Sequence, residues 1–329
     1  MTVHSVISDN KKQPSVSRRN ILIAAAVAGV FPDIDYVMMP IDTLSFITDW
    51  HRGPTHSILM IPLWALLLGW LSSLMARQRE NLALYTLVAV VGLFSHIFSD
   101  VITAWGTQIF WPLSDYRAVL ATSFVIDPIM TALVSIALLA SLYWKRRRFA
   151  VLGFAALVTY IAMQAVIKSQ VETLAEAYAV SRGIDKALIT SLPQPLAPFN
   201  WTLVISDGDS YHLARTNILL SELVDLTEET TGYFMTLMSF YRPSDQLQWQ
   251  VFTHFGRRPD TVEFSTTAWQ QKEFSRFRRF ARMPILFDMQ RTAEETCARF
   301  ADIRFLLPTG DPPFVYGMCQ NRDGFWHLE

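Results

Sequence analysis

The chain has 329 residues, 51% hydrophobic and 17% charged, where a soluble domain carries about 25% charged residues. A formal net charge of −1 excludes a broad nucleic-acid-binding surface. Two cysteines, Cys297 and Cys319, exclude zinc-finger and disulfide-dense frameworks.

Most of the apolar excess lies before residue 170. A bilayer core takes about 20 mostly apolar helical residues. Residues 57–76, 82–102, 124–144 and 149–167 meet that requirement. Residues 20–40 form a weaker fifth candidate, interrupted by Pro32, Asp33 and Asp35. Basic residues flank these runs: Lys11, Lys12, Arg18 and Arg19, then Arg77 and Arg79, then Lys145, Arg146, Arg147 and Arg148. The positive-inside rule puts all three basic segments in the cytoplasm. One alternating path then satisfies them, with five crossings, the N-terminus inside and the C-terminal portion outside. A secretory or twin-arginine signal is the rival for the N-terminus, and the apolar sequence that resumes at once counts against it.

Residues 168–192 read as an amphipathic helix, with Val171, Leu174, Ala175, Tyr178 and Ala179 at helical spacing. Pro193, Pro195 and Pro198 break it. Beyond them, 201–205, 232–241, 247–255, 303–307 and 314–318 read as strands. Residues 269–282 read as a helix and 206–209 as a hairpin turn. The expected fold class is an all-α polytopic membrane domain of about five transmembrane helices (20–168) behind a cytoplasmic tail (1–19). An amphipathic helix and Pro-rich linker (169–198) and a small α+β extracytoplasmic domain (199–329) follow. Cys297 and Cys319 can pair in that compartment or stay as two buried thiols, and spacing leaves both open.

The chemistry-bearing residues fall at one depth on this path. Asp33 and Asp35 lie near the outer end of the first crossing. His51, Arg52, Thr55 and His56 lie around the start of the second. His96 and Asp100 share a helix face near the outer end of the third. Asp115, Arg117 and Asp127 lie in the next outer loop and at the start of the fourth. An ionisable group at the bilayer centre costs roughly 2.5 to 3.5 kcal/mol on insertion scales, so such a set persists when paired, hydrated or bound to a cation. Asp33, Asp35, His51, His56, His96 and Asp100 are therefore candidate metal ligands. Mixed imidazole and carboxylate donors suit Zn2+, with Mn2+ or Fe2+ as alternatives. More than four ligands would allow two ions.

Other roles follow from side-chain chemistry. Asp35 or Asp115 is a candidate general base. Arg52 and Arg117 match phosphate oxygens, with interfacial anchoring as the alternative. Thr55 is a candidate for substrate contact or helix capping. Asp127, just before Pro128, is either a further ligand or a helix cap. His4, His212, His254 and His327 receive no role. The basic run 276–282 reads as a solvated helix face, with anionic headgroups as the rival partner.

The motifs also carry a resemblance. Phe31-Pro32-Asp33-Ile34-Asp35, His51-Arg52-Gly53-Pro54-Thr55-His56-Ser57, Ser95-His96-Ile97-Phe98-Ser99-Asp100, Trp105-Gly106-Thr107-Gln108, Trp111-Pro112-Leu113-Ser114-Asp115 and Ile126-Asp127-Pro128 together resemble the YdjM-like family over roughly residues 20 to 170. That family is described as bacterial inner-membrane, metal-dependent hydrolases. Pro198-Phe199-Asn200-Trp201 is similar to the long bacterial members. The resemblance extends distantly to zinc-dependent phospholipase C and P1 nuclease, which hydrolyse phosphoesters on a zinc cluster. Those enzymes also use the amino group of an N-terminal Trp, and no such Trp adjoins the motifs here.

The implied activity is hydrolysis of a phosphoester or ester of a lipid or lipid-linked substrate at the outer face of the inner membrane. Two rivals come from other classes. One is a transporter or ion-conducting protein, against which the missing repeat of paired, interrupted helices counts. The other is a membrane scaffold with a structural metal and a protein partner.

Overall fold

A computed structural model describes residues 16–185, 187–195, 198–224, 232–308 and 312–329. His4, Lys11, Lys12 and the tail up to residue 15 lie outside the described residues.

The N-terminal half is helical. It comprises α1 (Arg18–Val30), the single turn α2 (Thr43–Ser45), α3 (Ile61–Met75), α4 (Leu82–Val101), α5 (Pro128–Trp144) and α6 (Arg147–Arg182). Beyond α1 the chain tightens into a 3-10 helix, Phe31–Met38, where Pro32 has no N–H to give. Among the described residues, four helical stretches are long and apolar enough to cross a membrane: Arg18–Met38, Ile58–Met75, Arg79–Val101 and Arg147–Arg182. Pro128–Trp144 is apolar but has only 17 residues. The 36-residue α6 runs unbroken through residue 168, where the sequence suggests a boundary, and ends at Gly183 with φ +65°.

The chain divides into two units. The first holds residues up to Val37, then His51–Ser99 and Thr107–Arg117. Its core is Ala28, Ile61, Ala65, Leu68, Ala89, Leu93 and Ile97. Small residues set the helix spacing. A Cβ on Gly69 would lie 2.7 Å from the Thr86 backbone, and one on Gly92 would lie 2.8 Å from Ala28 Cβ. Leu66, Leu87 and Val91 face outward, each more than half exposed, as suits a surface covered by lipid.

The second unit holds Met38–Trp50, Asp100–Gly106 and Ala118–Glu329. Two antiparallel sheets dominate it. The first has strand order β1 (Leu188–Pro193), β2 (Asn200–Asp207), β3 (Ser210–Asn217) and β4 (Gln250–Thr253). The second has β5 (Pro284–Arg291), β6 (Glu295–Asp302), β7 (Tyr316–Asn321) and β8 (Trp326–Leu328). Gly208, at φ +59°, makes the expected turn between β2 and β3. The apolar stripe Val171, Ala175 and Ala179 of α6 packs on Trp201, Leu203 and Ile205 of β2. Cys297 and Cys319 are directly opposed on β6 and β7 and are joined by a disulfide.

Four expectations are corrected here, the first being the amphipathic helix over 168–192, which ends at Arg182 and gives way to strand β1, Leu188–Pro193. Residues 232–241 contain a helix, α7 (Tyr233–Ser239), and not a strand. Leu237 and Tyr241, four apart, are both buried, which is a helical period. Residues 303–307 begin with a 3-10 turn because the Asp302 carboxylate caps Arg304 N–H at 2.9 Å and also binds its guanidinium. The helix expected over 269–282 is split between the end of α8 (Pro259–Gln270), a Lys272–Phe274 turn and α9 (Ser275–Phe280).

His254 shows how tightly this region packs. Its ring stacks on Phe255 at 3.8 Å and meets Trp269 edge-on at 4.5 Å. Burial pushes its imidazole from 6.5 down to about 4, weakly opposed by Asp209. Between those two values the unfolded chain takes up a proton that the folded chain refuses. Its contribution to stability is therefore full above pH 6.5 and falls as pH drops toward 4. The expected loss reaches about 3 kcal/mol. Thermal unfolding across this window should show a shallower acid limb in His254→Phe than in the wild type, and equal slopes would contradict the assignment.

Candidate metal centre

The site is built from backbone geometry outward. The 3-10 helix after α1 puts Asp33 and Asp35 two residues apart, with Asp35 buried and Asp33 half exposed. The loop after residue 50 folds over Asp35. Arg52 N–H donates to Asp35 Oδ2 at 3.1 Å, and Arg52 takes the left-handed conformation at φ 57°. His51 Nδ1 lies 3.3 Å from the same carboxylate and His56 Nδ1 lies 3.5 Å from it. A buried carboxylate is costly unless matched in this way.

The loop is held from its other side by residues 107–117. Gln108 N–H donates to Arg52 O at 2.8 Å, and the buried Arg117 guanidinium donates to His51 O at 3.3 Å. The Ser57 hydroxyl donates to Trp111 O at 2.7 Å while accepting from Leu59 N–H, which caps the turn leading into α3. Burial lowers the pKa of His51, an effect partly opposed by Asp35.

Asp33, His56 and His96 bring one ligand atom each within 4.8 Å of one another. His56 Nε2 is 3.8 Å and His96 Nε2 is 3.5 Å from Asp33 Oδ1. The far side of each ring decides its tautomer. His96 Nδ1 lies 2.6 Å from Gly29 O, which only accepts, so Nδ1 carries the proton and neutral His96 offers its Nε2 lone pair. His56 Nδ1 faces the Asp35 carboxylate and the Thr55 hydroxyl at 3.0 Å, which favours the same tautomer. Two imidazole lone pairs and a carboxylate oxygen thus converge. Three acceptors this close repel unless a cation or added protons lie among them, so the donor set fits a divalent metal.

The remaining candidates separate. Asp100 follows one turn beyond His96 on α4 and is half-buried. Arg52 is buried, as Arg117 is, so neither is an interfacial anchor. Asp115 is exposed. Asp127 is a helix cap and hub. Its carboxylate accepts from Ile129 and Met130 N–H at the start of α5, and from Ser123, Tyr160 and Gln164 side chains. Five donors saturate it. Cys297, Cys319 and the acidic groups around them also cluster, but both sulfurs are taken by the disulfide.

Sequence reasoning missed Gly29, whose backbone carbonyl orients His96. Its signal is indirect. Ala25, Ala28 and Gly29 line the α1 surface that Gly92 of α4 abuts, and small residues permit such close helix approach. Gly92→Leu would force α1 and α4 apart and release His96 from Gly29 O. The expected result is metal affinity lowered about 10- to 100-fold, the usual cost of losing an orienting partner, in protein that still folds. Metal titration checks this, and unchanged affinity would contradict it.

The family model described as YdjM inner membrane protein matches residues 2–171. A protein of Bacillus subtilis (strain 168) named YfhP and described as uncharacterized is 34% identical over 110 residues, which is 33% of this chain and 32% of that protein. The chain thus spans about a third of that relative's length. No solved structure matches. With more than half of its length matched by the family model, the chain belongs to the YdjM inner membrane protein family.

Proposed function

We propose that the protein is a membrane-embedded, metal-dependent hydrolase. Its substrate is a phosphoester or ester of a lipid or lipid-linked compound at the outer face of the inner membrane. The observation that carries this reading is the convergence of Asp33, His56 and His96, with each ring fixed from behind. Two imidazoles and one carboxylate make a ligand set that catalytic zinc sites use. Zn2+ suits the donors best, and Mn2+ and Fe2+ are the alternatives.

When bound, the metal would lower the pKa of a water and polarise a phosphoryl or carbonyl oxygen. The chain's own residues do the rest. Asp33, His56 and His96 hold the ion, and Asp100 is carried as a further ligand from helical spacing. Asp35 holds His51 and His56 in orientation. Its oxygens are already committed, so the general base falls to Asp115. Arg52 and Arg117 keep positive charge beside the site for an anionic substrate, and Thr55 orients His56.

The proposed topology has five crossings, with α5 as the short one, the N-terminus cytoplasmic and the β-sheet region extracytoplasmic. The Cys297–Cys319 disulfide supports that placement, since such bonds persist in oxidising compartments.

The test is hydrolysis by the detergent-purified chain, loaded in turn with Zn2+, Mn2+ and Fe2+. The probes are bis(p-nitrophenyl) phosphate, a p-nitrophenyl ester and short-chain phospholipids. Chelation should abolish turnover and the metal should restore it. Folded His56→Ala and Asp33→Ala should lose on the order of 100-fold or more in kcat/KM, a loss of transition-state stabilisation near 3 kcal/mol. A loaded wild type that hydrolyses none of these probes would overturn the hydrolase reading.

A further inference from the structure

Far along the sequence from the metal motifs, β3 carries a charge in its core-facing row. Tyr211, Leu213 and Arg215 alternate on one face of the strand. Tyr211 and Leu213 are buried there with Val204, Ile285 and Ala301. An Arg in such a row usually has a carboxylate partner. Among the described residues Arg215 has none, and its buried Nε meets no acceptor. Burial also weighs against its charged form.

A second guanidinium is tied beside it through the backbone. Arg242 N–H donates to Arg215 O at 3.1 Å. Arg242 O accepts from Asn217 N–H at 3.0 Å and from the Thr216 hydroxyl at 3.0 Å. β4 pairs with β3 only from Ser210 to Leu213, so the edge of β3 changes partner just before Arg215. A cleft of about 140 Å³ opens at that change, lined by Arg215, Arg242, Ser239, Gln248 and Gln250. Among the described residues, no Asp or Glu lines it. A single water needs only about 15 Å³ by this measure, so a tetrahedral oxyanion fits. Arg215 also borders an apolar cleft of about 240 Å³ lined by Phe252, Ile285, Leu286 and Leu306.

We propose that this cleft is a phosphate-binding site, in which Arg215 and Arg242 grip a phosphate monoester group and Ser239, Gln248 and Gln250 complete its hydrogen bonds. Guanidinium forks match phosphate oxygens bidentately. The adjoining apolar cleft suits a phosphate that carries a hydrocarbon chain. The site uses no residue of the metal centre and stands whether or not the protein is a hydrolase.

The test is calorimetric titration of the full chain in detergent with two probes, inorganic phosphate and dihexanoyl phosphatidate. The same titrations are run in a His56→Ala background, so that binding at the metal centre cannot be mistaken for binding here. Binding should survive His56→Ala. It should weaken about tenfold or more in Arg242→Gln, the scale of one lost hydrogen bond to a charged group. Gln248→Glu, at an exposed position of the rim, should weaken it as strongly by placing a carboxylate against the arginines without disturbing the core. Binding of phosphatidate alone identifies a lipid headgroup, and equal binding of inorganic phosphate identifies a free oxyanion. No binding of either probe, or equal affinity in the wild type and both cleft variants, would overturn the proposal.

Discussion

The buried carboxylate of Asp35 is the constraint on which the candidate metal centre depends. A charge at that depth must be matched, and it is matched by three partners from one short loop: the Arg52 N–H, His51 and His56. Meeting them folds the loop back over the 3-10 helix that follows α1. That fold turns His56 Nε2 toward Asp33. The remaining ring, His96, is aimed by a different device, the close approach of α1 and α4 at Ala28 and Gly92, which brings Gly29 O to its Nδ1. Charge matching and close packing thus fix the same small volume from two sides.

The second unit is threaded through the same motifs. Residues 38–50, between Asp35 and His51, bury Leu44, Phe46 and Ile47 in a core with Phe274, Phe277 and Phe300. Arg276 reaches Asp42 and Asp49, and Arg279 reaches Asp49. These exposed pairs add little individually. The apolar contacts matter more, because truncation before the β-sheets would strip the cover from three large side chains, each worth about 1.5 to 3 kcal/mol when buried. The C-terminal region is therefore part of what keeps the segment between the ligand motifs folded.

Much of this was legible in the sequence because the signals were local. Long apolar runs mark α3, α4 and α6, Asp127-Pro128 marks the start of α5, and Gly208 marks the β2–β3 turn. The candidate ligands stood out because polar groups are conspicuous in apolar helices. Contacts that join distant segments were not legible. Leu44, Phe46 and Ile47 form too short a run to show a period, and nothing in them points to a core some 230 residues later. The strand expected over 232–241 failed because its apolar residues fit two periods and packing selected the helical one. Arg215 carries no signal in the sequence, and only its place two residues after Leu213 on β3 puts it in a core-facing row. Gly29 acts through its carbonyl, which every residue possesses.

The most direct measurement is the metal content of the purified chain, compared between the wild type and His56→Ala and His96→Ala proteins whose folding is checked by circular dichroism. The expected result is one or two equivalents of a divalent metal in the wild type, after reconstitution where needed, and loss of that metal in both folded variants. A wild type that takes up no Zn2+, Mn2+ or Fe2+, or variants that retain the full complement, would contradict it.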